Sequence, residues 1–173
     1  MRVLCAGLLV ALLASPALAD VMVYFNPPAQ SIDISAGTTT VDIVADITVE
    51  QAILGWGLDL GLTGTSVSVV PPPAIGPLFD PAFAPDGDDL AGLVPPPDLV
   101  SGIGVVLATM TLSLDNLGTT YLDASVTPGD LFEGFMTEAG FASPVTFVQG
   151  SVTVTPEPAS LLLLGLLGLL RRR

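Results

Sequence analysis

Apolar and polar residues alternate through most of this chain, and a period of two predicts β-strands rather than helices. Between Thr40 and Thr48, Val41, Ile43, Ala45 and Ile47 fall on one face and Asp42, Val44, Asp46 and Thr48 on the other. Leu54, Trp56, Leu58 and Leu60 repeat the pattern, with Gly55, Gly57 and Asp59 facing away. Val106 to Leu114 repeats it again, with Val106, Ala108, Met110, Leu112 and Leu114 inward. Val145 and Phe147, then Val152 and Val154, predict a last long strand whose phase slips at Gln149-Gly150, which suggests a bulge. Shorter strands are predicted at Val21 to Phe25, Ser31 to Ile34, Ser66 to Val70, Thr119 to Ala124 and Leu131 to Phe135. Trp56 shares its face with three leucines, which assigns it to the core rather than to an exposed sugar platform.

Turn residues separate these runs: Asn26-Pro27-Pro28, Ala36-Gly37, Thr63-Gly64, Asp115-Asn116 and Pro128-Gly129. Many short strands with polar turns and no useful helical period predict an all-β, antiparallel β-sandwich. One stretch escapes the pattern. Pro71 to Gly102 opens with Pro71-Pro72-Pro73, nears its end with Pro95-Pro96-Pro97, and holds Leu78, Phe79, Phe83 and the acidic cluster Asp86-Gly87-Asp88-Asp89. It is expected to be a long loop whose aromatic residues pack back on the sandwich.

The two ends are apolar without alternation. Arg2, the run Val3 to Leu13, and Ala17-Leu18-Ala19 make the three regions of a signal peptide. Signal peptidase would cleave after Ala19 and leave Asp20 as the mature start. At the other end Pro156-Glu157-Pro158 is followed by an apolar helix over 159–170 and then Arg171-Arg172-Arg173. As a helix, 159–170 spans about 18 Å against a hydrocarbon core of roughly 30 Å, so this transmembrane helix needs local thinning or snorkelling arginines. The arginines would stay in the cytoplasm. Between the two segments, Asp20 to Thr155 is long enough for one domain with its own core.

That order of proline-glutamate-proline, short hydrophobic helix and basic tail resembles the PEP-CTERM sorting signal. The resemblance implies that an exosortase, a membrane-embedded transpeptidase-like protease, cuts near Pro156-Glu157-Pro158. The protein would pause at the inner membrane, then reach the cell surface or the extracellular polysaccharide matrix of a Gram-negative bacterium. A second resemblance concerns the domain. Thr40 to Thr48, Leu54 to Leu60, Leu107 to Leu112 and the closing strand from Val145 to Val154 follow one another as in cohesin-type modules. The resemblance implies a jelly-roll β-sandwich of about nine strands, related in fold to several carbohydrate-binding modules, and an adhesive role toward a protein partner or polysaccharide.

Charge narrows the chemistry. The chain carries 17 Asp and Glu against 4 Lys and Arg and no His. All four cations lie in the end segments, as does the single cysteine, Cys5. A domain with no cation has nothing to neutralise phosphates or anionic headgroups, which disfavours nucleic acid and anionic lipid. Without histidine or a mature thiol there is neither an ordinary nucleophilic triad nor a zinc site. A carboxylate pair is the remaining catalytic possibility; Asp59, Asp88, Glu133 and Glu138 are candidates for a secreted glycosidase, the alternative to a non-enzymatic binding protein. Asp86, Asp88 and Asp89 are either calcium ligands on a flexible turn or a solvated acidic turn. No other cofactor is implied.

Overall fold

The computed structural model describes residues 21–82, 90–127, 129–130, 132–142 and 144–158. Fourteen strands lie among them: β1 (Val21–Asn26), β2 (Ala29–Asp33), β3 (Thr38–Ile47), β4 (Ile53–Gly57), β5 (Asp59–Thr63), β6 (Val67–Ile75), β7 (Asp80–Pro81), β8 (Ala91–Leu93), β9 (Gly102–Leu114), β10 (Gly118–Ser125), β11 (Gly134–Thr137), β12 (Gly140–Phe141), β13 (Val145–Phe147) and β14 (Gly150–Thr155). They form three sheets. Sheet A has the order β13-β1-β3-β9-β6, sheet B β2-β14-β10-β5, and sheet C β12-β11-β4-β8-β7.

The all-β expectation holds, and the higher strand count has a simple origin. Three continuous runs change sheets midway: β1 to β2, β4 to β5, and β13 to β14. Joining those runs and setting aside the two-residue strands β7 and β12 leaves nine. The phase slip at Gln149-Gly150 is therefore not a bulge but the point where the chain crosses from sheet A to sheet B. Gly150 passes so close to Phe25 that a Cβ there would lie 2.8 Å from the Phe25 Cβ. Opposite it, Pro27 and Pro28 end β1, because neither has an N–H to give the ladder. The two crossing runs travel together, so β1 with β13 and β2 with β14 are parallel pairs in an otherwise antiparallel fold.

Leu54 to Leu60 is likewise not one strand. It divides at Leu58, whose N–H bonds the Leu90 carbonyl, and β5 leaves for sheet B. Within β4 the register jumps from Met136↔Gly55 to Thr137↔Ile53, so Leu54 is an inserted residue. The bulge turns Ile53 inward along with Trp56 and leaves Leu54 half-buried. A similar slip opposes Ile43 to Ala108 and Val44 to Val106, skipping Leu107. Beyond it Ala108, Met110, Leu112 and Leu114 point inward as expected; before it Val105 and Leu107 do, and Val106 does not.

The expected long loop is partly strand. β6 continues through Pro71-Pro72-Pro73 to Ile75, which an edge strand tolerates at a register shift. β8 forms near the far end of the same stretch. Two short strands also shift. Asp33 ends β2 by accepting from Ser35 N (2.9 Å), starting a 3-10 turn over Ile34–Ala36. Asp130 accepts from Phe132 N (2.8 Å), which delays β11 to Gly134 rather than Leu131.

One apolar cluster joins the three sheets: Ile43, Leu107 and Met110 from A, Leu122 and Val152 from B, Ile53, Trp56 and Phe135 from C. Its only fully buried polar pairing among the described side chains is Ser66 with Thr120, where the hydroxyls lie 2.7 Å apart and Thr120 Oγ1 also accepts from Ser66 N (3.0 Å).

Candidate functional site

Sheet C has two unlike faces. On the inner face Phe135 and Gly92 flank Trp56 in register. Trp56 is 4% exposed and meets Phe79 edge-on, with ring centroids 5.9 Å apart at 85°. Its indole N–H has no hydrogen-bond partner among the described residues. Trp56 is thus a core residue, as its alternation predicts.

The outer face carries no large side chain along its centre. Gly55 and Gly134 form a floor there, with Gly55 paired to Leu93 and Met136, while Gly57, paired to Gly134, lies beside it under Phe132. Each glycine makes room for a neighbour lying across the sheet. A Cβ on Gly55 would meet Leu93 Cδ2 at 2.7 Å, and one on Gly57 would strike the Phe132 carbonyl. Gly134 has φ +108, a conformation L side chains rarely adopt, and Phe141 Cδ1 lies 3.1 Å from where its Cβ would be. The result is a groove of about 350 Å³ with a glycine floor and apolar walls. The walls stand in solvent: Leu93 is 47% exposed, Phe132 57%, Met136 39% and Phe141 52%. Large apolar side chains gathered on one exposed face are more than single surface hydrophobics scattered by composition.

Carboxylates underlie one wall. Glu133, next to Phe132 and buried, accepts a short hydrogen bond from Thr127 N. Burial, then the charges of Asp59 and Asp130 and a hydrogen bond with Asp59, raise its pKa above the ordinary glutamate range, against the opposing pull of the Thr127 N–H. Thr127 Oγ1 donates to Asp59 Oδ2 at 2.9 Å and so ties the pair to the 126–133 connection. The structure therefore brings together two of the four glycosidase candidates, Asp59 and Glu133. Thr127 is their common partner, its N–H donating to Glu133 and its hydroxyl to Asp59. Glu138 is exposed in the turn between β11 and β12, and Asp88 lies outside the described residues.

Of the residues expected to form a sorting motif, Pro156, Glu157 and Pro158 are exposed and follow directly on β14. Ala17, Ala19 and Asp20, the expected apolar helix over 159–170, Arg171 to Arg173, and the calcium candidates Asp86, Asp88 and Asp89 all lie outside the described residues. Among the described residues there is no group of three metal-ligating side chains, and no helix is long and apolar enough to cross a membrane. Sequence reasoning missed the groove. Its one legible trace is the pair Gly55 and Gly57 on the face opposite Trp56, which marks a surface where something lies close.

No protein-family model matches the chain, and no curated protein matches it in sequence. Solved structures do match in fold. The seventh ScaB type I cohesin of Pseudobacteroides cellulosolvens is 15% identical with a TM-score of 0.57, over 81% of this chain and 95% of that one. The third ScaC cohesin of Acetivibrio cellulolyticus, solved in complex with the ScaB dockerin, is 13% identical with a TM-score of 0.53, over 78% and 98%. The OlpA cohesin of Clostridium thermocellum, also solved with a dockerin, is 9% identical with a TM-score of 0.54, over 78% and 99%. At these identities the likeness is one of fold: the described domain of this chain is a β-sandwich with the architecture of the cohesin modules.

Proposed function

We propose that the chain is an exported, non-enzymatic binding module that docks a protein partner on the outer face of sheet C. The observation that carries this is the glycine-floored groove walled by Leu93, Phe132, Met136 and Phe141. A protein interface needs an apolar centre that a partner side chain can fill, and a rim that sets orientation. Charge specifies the partner. Of the 17 acidic residues only Glu157 lies beyond Thr155, so Asp20 to Thr155 holds 16, with no Lys or Arg to balance them. A second copy would set two strongly negative domains against each other. The fitting occupant is a protein that presents apolar side chains ringed by lysine or arginine. Two of the fold neighbours were solved with dockerins, which makes a dockerin-type module the first partner to try.

The test is calorimetric titration of the protein with a panel of dockerin domains of differing surface charge, in parallel with Leu93→Asp/Met136→Asp. We expect saturable binding by basic members of the panel and loss of at least tenfold in affinity for the double variant. Binding that the double variant leaves unchanged removes the groove from the account.

Export and sorting rest on separate ground. The Pro156-Glu157-Pro158 motif is exposed immediately after the last strand, where a protease has access without unfolding the sandwich. We propose cleavage by signal peptidase after Ala19 and by an exosortase near the motif, with delivery to the cell surface or polysaccharide matrix. Intact-mass analysis of the exported protein decides it: retention of the tail through Arg173 in a host with active exosortase contradicts the sorting proposal.

A further inference from the structure

Strand register fixes where the groove lies relative to the point at which the chain leaves the sandwich. β14 ends with Val154 opposite Gly118 and Thr155 opposite Asp33. Leu114 N bonds Gly37 O, and Asp115 N and Asn116 N bond Ser66 O, so these turns share that end. Sheet C lies at the other. β10 runs from Gly118, beside Val154, to Ser125, which pairs with Asp59. Those seven residue steps cover roughly 23 Å at about 3.3 Å each. The chain bearing Asp59 then passes Leu58 into β4, away from Thr63, so Gly55 and the groove lie farther still.

Most of the exposed apolar side chains follow the same polarity; Val70 (41%) and Tyr121 (46%) stand on strand faces nearer the exit end. Besides the four groove walls, Val49 (76%), Leu99 (40%) and Ile103 (90%) project at the end remote from Thr155, where Ile47 pairs with Gly102 and Ile53 bridges Val100. At the exit end Leu117 is the large apolar residue exposed among the described turns. The two ends thus differ: a mostly polar one from which the C-terminal segment departs, and an apolar one more than 20 Å away along the strands.

We infer that the sandwich is a spacer as well as a binder: it holds its docking end away from whatever its C-terminal segment is fixed to, so that it engages a separate, basic protein partner while still attached. The inference rests on the docking and sorting proposals, and its test separates it from both. The mature domain has no cysteine, so single cysteines report position without background once Cys5 is serine. Leu93→Cys and Leu117→Cys, each in the full chain, are labelled with a 5-kDa polyethylene glycol maleimide, in detergent and after reconstitution in phosphatidylcholine vesicles. Both positions are surface sites, and far-ultraviolet circular dichroism confirms that each variant is folded. The expected result is an unchanged labelling rate at Leu93→Cys and at least a threefold slower rate at Leu117→Cys on vesicles. Labelling is read on protein that floats with the vesicles, so a chain that fails to float counts against the C-terminal anchor instead; in floated protein, equal slowing at both positions, slowing at Leu93→Cys alone, or no slowing at either overturns the inference. None of these outcomes depends on a dockerin binding, so failure of the docking proposal registers in the calorimetry instead.

Discussion

Trp56→Ala tests whether sheet C is anchored to the core, since the groove is the outer face of the sheet that this ring holds in place. The indole is 4% exposed, packs edge-on against Phe79, and sits so close to Gly92 that a Cβ there would lie 2.8 Å from Nε1. Removing a large aromatic from such a site costs about 3–5 kcal/mol, because transfer free energy is lost and the space refills incompletely. One effect opposes this. The indole N–H has no partner among the described residues, and an unsatisfied buried donor costs about 1–3 kcal/mol in the native state. Subtracting one from the other leaves a net loss of about 2 kcal/mol. Trp56→Phe keeps an aromatic ring and removes the donor, so it should cost clearly less than Trp56→Ala. Urea unfolding followed by circular dichroism measures both, because the chain's only tryptophan is the residue being replaced. A loss under about 1 kcal/mol for Trp56→Ala, or a native emission already red-shifted and freely quenched by acrylamide, would refute the burial argument.

Three further perturbations address other parts of the account. Thr120→Val strands the buried Ser66 N–H and hydroxyl and should cost about 1–3 kcal/mol in the same urea assay, with Ser66→Ala added to it recovering the hydroxyl's share. Gly57→Ala drives a Cβ into the Phe132 carbonyl; it should destabilise by about 1–3 kcal/mol and shift the Phe132 and Glu133 amide resonances, and unchanged resonances there would contradict the close approach. Glu133 has a native pKa above its ordinary 4.5, so the folded state holds that proton more tightly than the unfolded one. Its contribution to stability is therefore full below 4.5 and is lost as pH rises through the native value; melting curves of Glu133→Gln should lack that part of the slope, and identical slopes in both proteins would show the group is not perturbed.

Much of the sandwich was legible because half-buried strands write a period of two into the sequence. β3 and the second half of β9 read correctly, since Asp42 and Asp46 in the one and Thr109 and Thr111 in the other keep the phase of the apolar face, even though Val44 between the two aspartates is apolar and buried. The Leu107 slip was illegible for the opposite reason: Val105, Val106, Leu107 and Ala108 are all apolar, so an inserted residue leaves no mark. The division at Leu58 was hidden in the same way, because an apolar residue suits the core of either sheet. Asp130 concealed where β11 starts, its side chain holding Phe132 in a turn although the residues around it have strand character. Of the groove, only Gly55 and Gly57 carried a local signal. Its walls come from Leu93, Phe132, Met136 and Phe141, brought over those glycines by pairings of β4 with β8 and β11 that alternation cannot specify.

The central claim, that the outer face of sheet C is where a protein partner docks, is tested most directly by hydrogen–deuterium exchange with and without the tightest-binding dockerin of the panel. The account predicts new protection in the segments 53–57, 91–93 and 132–141, with sheet A unchanged. Protection confined to sheet A, or to β2 and β14 of sheet B, would place the interface elsewhere and contradict it.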